Sequence, residues 1–323
     1  MKDAAENFSE QNLIPLLCVV GPTAVGKTET AIELARKLGG EIISADSVQV
    51  YRYMDIGTAK PTIEERKGVP HHMIDIVKPD INFTVYDYQK KAQNHINKIH
   101  NKGKLPILTG GTGLYIKAVI DQYTFRGGKA NVSVRKRLQK KLELKGKEHL
   151  YRLLQTIDPA AAKRVHPNDS RRVIRALEFF HSTGEPISTQ WKHTKKKQSN
   201  YKLIMIGLTM NKKNLYEKIN RRVDLMIKKG LLQEVEGLLE KGYKTTLKSM
   251  QSLGYSHFAR FLKGEHDWET AVTTLKRDTR RYAKRQLTWF RPDSRISWYE
   301  RKPNDMKVDP ILDNICYKIE GYC

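Results

Sequence analysis

The sequence predicts an α/β fold, a parallel sheet core interrupted by an inserted helical domain. Three observations predict it. Strand-length apolar runs alternate with helix-period segments toward both ends of the chain. A glycine-rich turn joins the first apolar run to the first helical segment. Between them, residues 126–200 hold 19 Lys or Arg against 6 Asp or Glu, a net of +13, and their patterning is helical.

The elements follow in order. Leu13–Val20 is apolar and β-rich and runs straight into the turn. Thr28–Leu38 places Ala31, Leu34, Ala35 and Leu38 on one helical face, and Gly39-Gly40 stops it. Ile42–Ala45 reads as the next strand, and Leu105–Leu108 as another, ending at Thr109-Gly110-Gly111-Thr112-Gly113. Strand, helix and strand with short connections give a parallel sheet with right-handed crossovers. Within the basic stretch, Val134–Leu144, His149–Thr156 and Arg171–Phe180 read as helices, and Lys195–Lys197 as a linker. Leu203–Leu208 returns to the sheet, and helices follow around Val223–Ile227 and Leu231–Leu239. The expected division is therefore a core of residues 12–125 with 201–323, and an insertion of residues 126–200.

Composition bounds the function. A chain of 323 residues has room for two domains, or one with a large insertion, at roughly 100–200 residues each. Lys and Arg number 59 against 35 acids, a net of +24. Such a surplus favours a polyanionic partner, because each cation near a phosphate releases counterions. No apolar run approaches the ~20 residues that span a bilayer. Residues 1–12 are polar with three acids, which is the character of neither a secretory nor a transit leader. Cys18, Cys316 and Cys323 are few and lack metal spacing, so neither a disulfide scaffold nor a zinc module is expected, and a reducing cytoplasm fits.

Gly21-Pro22-Thr23-Ala24-Val25-Gly26-Lys27-Thr28 matches the phosphate-binding pattern Gly-x-x-x-x-Gly-Lys-Ser/Thr in its required place between strand and helix. Its glycines let backbone N–H groups converge on an anion, and the following helix aims its N-terminus at the same point. Lys27 adds a mobile cation, and Thr28 a hydroxyl for a phosphate-bound Mg2+. In a nucleoside triphosphatase a later strand ends in an Asp that holds the metal. Here Leu105–Leu108 ends in Thr109 and Gly110. A bound pyrophosphate group without equipment for hydrolysis points toward a reaction in which pyrophosphate leaves.

Asp46 follows Ile42–Ala45 directly. Ligands of open parallel sheets sit beyond the carboxyl ends of the strands, so Asp46 shares an edge with the phosphate cradle. Two uses fit it, a carboxylate that ligates metal or takes a proton, and a turn or cap Asp. The second glycine-rich turn, Gly110–Gly113, is by itself a tight loop. His71, His72 and Asp75 have no further ligand near in sequence and read as structural or solvent-facing. Asp169 or Ser170 can cap a helix carrying Arg171, Arg172 and Arg175. Lys276–Arg291 holds seven basic residues and one acid, interleaved with Tyr282, Trp289 and Phe290. Basic residues with aromatics suit a nucleic-acid backbone with unpaired bases.

These residues resemble the bacterial tRNA dimethylallyltransferases, also called isopentenyl-tRNA transferases. The matching stretches are GPTAVGKTE (21–29), SADSVQVYRYMDIGTAKP (44–61), PHHMID (70–75), GGTGLYIKA (110–118), HPNDSRRVIRALE (166–178), TGEPIS (183–188), LYEKINRRVDLM (215–226) and TRRYAKRQLTWF (279–290). The resemblance implies a P-loop NTPase-like core with an inserted domain that grips the tRNA anticodon stem-loop. It implies transfer of a dimethylallyl group from dimethylallyl diphosphate to N6 of adenosine 37, in tRNAs reading codons that begin with U. By motif position it implies that Asp46 engages N6 and takes its proton, and that Thr112 contacts the same nucleotide or the diphosphate. Lys27, Thr28 and Arg222 would neutralise the leaving diphosphate with Mg2+. Ser47, Val48, Gln49, Arg135, Arg171, Arg172, Val173, Ile174 and Arg175 match tRNA-contacting positions. A cytoplasmic monomer is expected, with no membrane partner. A P-loop kinase of a small metabolite, or an adenylate isopentenyltransferase acting on a free nucleotide, would share the cradle but has no use for the basic insertion.

Overall fold

In the computed structural model, which describes residues 13–125, 131–194, 199–302, 311, 312 and 315, strand β1 (Ile14–Val20) lies inside the sheet between β4 (Leu105–Gly110) and β5 (Tyr201–Thr209). Its continuous apolar run has the cause expected of a parallel strand covered on both faces, and Leu16–Val20 are fully buried. Strand β2 (Gly40–Ser44) pairs with β4 and with the two-residue β3 (His71–His72), and β6 (Ile296–Glu300) pairs with β5. The order is β3-β2-β4-β1-β5-β6, all parallel. Parallel pairing puts the carboxyl ends of β1, β2 and β4 on one edge.

Helix α1 (Lys27–Lys37) buries Ala31, Leu34 and Ala35 of the predicted stripe, with Ile32 beside them and Leu38 buried at its C-terminal end, and Gly39 turns the chain with φ 62°. Helix α2 (Val85–His100) begins with a capping box between Thr84 and Asp87. Helix α3 (Gly113–Ile120) follows β4. Beyond β5 come α8 (Lys212–Lys228), α9 (Leu231–Glu240), α10 (Tyr255–Leu262) and the long α11 (Trp268–Phe290).

Residues 117–199 form a second compact unit. The change in charge and patterning along the sequence is read at 126 and 200; the compact unit runs from Lys117, inside α3, to Ser199. It contains α4 (Val132–Ile157), α5 (Pro159–Ala162), α6 (Ser170–Thr183) and α7 (Ile187–Thr194). Helix α4 is two helices meeting at Gly146, whose φ of 77° and ψ of 173° break the helical path. The two helical stretches read at 134–144 and 149–156 are its halves. The unit has its own core of Leu138, Leu150, Leu154, Val173, Leu177 and Phe179. The lysine run 195–197, Cys316 and Cys323 lie outside the described residues. No helix among the described residues is long and apolar enough to cross a membrane.

Candidate active site at the carboxyl edge of the sheet

The loop from β1 to α1 curls through left-handed backbone at Ala24 (φ 65°) and Gly26 (φ 101°). Backbone of this kind turns successive N–H groups toward one concavity, which is how a polypeptide holds phosphate without spending side chains. Lys27 opens α1, and its Nζ donates to the Pro22 carbonyl at 2.7 Å, curled over the loop it belongs to. Burial and the neighbouring Arg222 guanidinium of α8 lower the Lys27 pKa to about 8, against the opposing pull of Asp46 and Glu29. Burial likewise lowers that of Arg222, opposed by Glu29, Asp46 and Glu65. Two cations and the Asp46 carboxylate thus share one field, and it is Arg222 rather than the exposed Arg221 that Lys27 feels. A cleft of about 1070 Å³ opens beside Lys27, lined by Ala24–Thr28, Lys60, Arg222 and Leu225 among others.

Asp46 stands just past β2. Its Oδ1 accepts from the Val48 N–H at 2.8 Å and the Gln49 N–H at 3.2 Å, so the turn use is realised through one oxygen. The other oxygen is not committed to that turn. The second glycine turn lies against this loop: Ser47 N–H donates to Thr112 Oγ1 at 3.0 Å, and Thr112 N–H to the Ala45 carbonyl at 3.1 Å. A Cβ on Gly110 would sit 2.2 Å from the Ala45 oxygen, so only glycine lets the two turns approach. Gly110–Gly113 is therefore more than a tight loop; it seats Thr112 beside Asp46. The Gln49 side chain is occupied, accepting from Ser44 Oγ at 2.9 Å and donating to the Thr58 carbonyl at 3.3 Å. Behind the site Tyr88 and Tyr115 stack at 4.0 Å, and Tyr88 donates to the Ser44 carbonyl at 2.9 Å.

Two residues of this site were not singled out from the sequence for it. Gln286, on α11, accepts from Thr23 N–H at 2.8 Å and donates to the Gly111 carbonyl at 3.0 Å. Tyr282, one turn earlier, turns its hydroxyl toward Thr112 and Gln286. The available signal was helical spacing: Ala283, Gln286 and Phe290 fall on one buried stripe, and a polar residue on such a stripe needs a partner. The surplus of Lys and Arg drew attention to the other face.

His71 and His72 are structural, as read. His72 Nε2 meets Glu41 Oε2 at 2.8 Å, and His71 Nδ1 meets the Val69 carbonyl at 2.8 Å. Asp75 pairs with Lys60 at 2.5 Å. Among the described residues no cluster of three His, Cys, Asp or Glu could hold a metal. Thr28, however, lines the cleft beside Lys27. One hydroxyl, diphosphate oxygens and water are the hard-oxygen set that Mg2+ takes at phosphate sites, so the residues present fit that ion.

In the inserted unit, Asp169 caps α6 by accepting from Arg172 N–H at 3.1 Å. Arg171 and Arg172 are exposed. Val173 and Ile174 are 1% and 7% exposed and belong to the unit's core, so of this run only the arginine side chains reach the surface. Arg135 has another task. Its Nη2 and Nε donate to the buried Glu178 Oε2 at 2.7 and 3.1 Å, while Arg175 stands 3.5 Å from Oε1. Arg135→Ala leaves that buried carboxylate to Arg175 alone, and should cost about 1–3 kcal/mol of stability. Urea unfolding of the whole chain measures it. Unchanged stability together with weakened tRNA binding would assign Arg135 to the RNA instead.

Comparison with known proteins agrees with this geometry. A family model described as IPP transferase matches residues 49–293. The chain is 49% identical over 307 residues to a tRNA dimethylallyltransferase of Alkaliphilus metalliredigens, covering 95% of this chain and 97% of that one. It is 50% identical over 285 residues to that of Carboxydothermus hydrogenoformans, covering 88% and 91%. The crystal structure of a full-length tRNA isopentenylpyrophosphate transferase from Bacillus halodurans superposes with a TM-score of 0.72 at 46% identity, over 94% of this chain and 96% of that one. A eukaryotic dimethylallyltransferase acting on tRNA superposes with a TM-score of 0.80 at 29% identity, over 94% and 77%. With its cradle intact and likeness over nearly its whole length, the chain belongs to the IPP transferase family.

Proposed function

We propose that this chain modifies tRNA by transferring a dimethylallyl group from dimethylallyl diphosphate to N6 of adenosine 37, in tRNAs reading codons that begin with U. The observation that carries the reading is the joining of a phosphate cradle to the Asp46–Thr112 pair on one sheet edge, where β4 ends in glycine rather than a carboxylate. A kinase would use its cradle to hold a nucleotide while a phosphoryl group moves. Here the cradle holds the group that leaves.

The chemistry sets what the residues must do. Adenine N6 is a weak nucleophile, because its lone pair is conjugated with the ring. A base placed to take its proton as the new bond forms answers that, and Asp46 Oδ2 is the oxygen for it. The new N6–carbon bond forms as the carbon–oxygen bond to diphosphate breaks; the bonding pair leaves with diphosphate, and the N6 proton passes to Asp46. Lys27, Arg222 and the cradle N–H groups stabilise charge building on the leaving group. Mg2+, held at Thr28 when bound, would add positive charge at the same oxygens. N6 is not reachable in a stacked base, so adenosine 37 must turn out of the loop. The inserted unit supplies the grip on the anticodon stem-loop, through Arg171, Arg172 and the lysines of α4.

Prenyl label followed from dimethylallyl diphosphate into tRNA, against γ-phosphate label followed from ATP into small acceptors, tests the reaction. Label entering only the small acceptor would replace this reading with the kinase. The grip is tested apart from it. Replacing Arg171 and Arg172 with Gln should weaken tRNA binding, and flatten log affinity against log salt by up to about one per lost phosphate contact. An unchanged slope would mean that those arginines touch no phosphate.

A further inference from the structure

Gln286 is 5% exposed on α11, and its amide spans the two glycine turns. Its oxygen takes the Thr23 N–H of the cradle, and its NH2 reaches the Gly111 carbonyl, one residue before Thr112. A Cβ on Gly111 would lie 2.0 Å from that nitrogen. Glycine at 111 therefore makes room for the amide. Only a side chain with one donor and one acceptor at this length satisfies both turns. A carboxylate would set an oxygen against the Gly111 carbonyl, and a hydrocarbon would leave both backbone groups unpaired in a buried place.

The two turns carry the two halves of the reaction. The cradle fixes the leaving diphosphate, and the Thr112 turn fixes the loop that carries Asp46. Transfer between them depends on in-line placement of carbon and nitrogen, to which rate is steep: about 1 Å of misplacement costs on the order of a hundredfold. We infer that Gln286 is a positioning residue, a spacer that holds the cradle and the acceptor loop at the separation and angle that transfer requires. The inference rests on the proposed prenyl transfer.

Gln286→Leu and Gln286→Glu should each lower single-turnover transfer by about a hundredfold. Affinity for dimethylallyl diphosphate and for tRNA should stay within a few fold, and the thermal midpoint should not track the loss. A cycle with Gly111 keeps the idea testable should either variant not fold. The methyl of Gly111→Ala pushes the amide out of its seat, so it should slow transfer strongly when Gln286 is present. It should add little in Gln286→Ala, where nothing is left to displace. Additive losses in the cycle, or a rate loss matched by equal losses of both affinities, would overturn the spacer role while wild-type transfer stands. Absence of prenyl transfer by the wild-type protein would overturn the reading beneath it and the inference with it.

Discussion

Asp46→Asn should lower the rate constant for prenyl transfer by about 10²–10⁴ while leaving both substrates bound. The geometry makes the substitution clean. Asp46 Oδ1 receives the Val48 and Gln49 N–H groups, and an amide oxygen receives them equally well, so the turn and the stability it supports survive. What is lost is the second carboxylate oxygen as a proton acceptor. Three uses of this residue then separate. A base gives a fall in rate at nearly constant affinity. A turn residue gives no fall, since Asn is among the best replacements in a cap or turn. A metal ligand gives weakened diphosphate binding that added Mg2+ partly restores. Single-turnover measurements at varied Mg2+ read all three, and near-normal turnover would sink the base.

The parallel core was legible because its chemistry is local. A strand buried on both faces must be apolar throughout, as Leu16–Val20 are, and a phosphate loop must place Gly26, Lys27 and Thr28 in sequence between strand and helix. Asp46 was legible because the carboxyl end of a strand is a place, given the topology. The short β3 and the partly exposed β6 were not, since a two-residue strand has no period and Ile296–Glu300 borrows its order from β5. Gln286 stayed hidden because its partners, Thr23 and Gly111, are backbone groups 263 and 175 residues away; no side-chain pattern marks a backbone partner. Val173 and Ile174 show the converse. A motif carries every residue of a run together, whereas five consecutive residues on a helix go round more than one full turn, so the run 171–175 divides between surface and core, with two of its five side chains buried.

Lys27→Ala should raise the barrier to transfer by about 2–4 kcal/mol, the usual cost of removing one charged stabiliser of a leaving anion, with tRNA affinity nearly unchanged. Arg222 stands close enough to lower the proton affinity of Lys27, and burial lowers that of both. An anion between them relieves that repulsion, so the pair is a demand for negative charge that diphosphate fills. Removing Lys27 also removes a buried cation without a carboxylate partner at hydrogen-bond distance among the described residues, so the fold should not weaken. A pH arm isolates the residue. With its pKa lowered to about 8, Lys27 is charged below that pH and loses its proton as pH rises through it. A bound anion favours the charged form, so diphosphate binding takes up a proton in that range. Diphosphate titrates as well, identically for both proteins, so the ratio of wild-type to Lys27→Ala affinity should be flat below pH about 8 and fall above it. Calorimetry with inorganic diphosphate at several pH values measures both. A ratio that does not change across that pH would mean that the fall belongs to another group, and tRNA affinity collapsing together with turnover would mean that the cradle and the RNA grip are not separate.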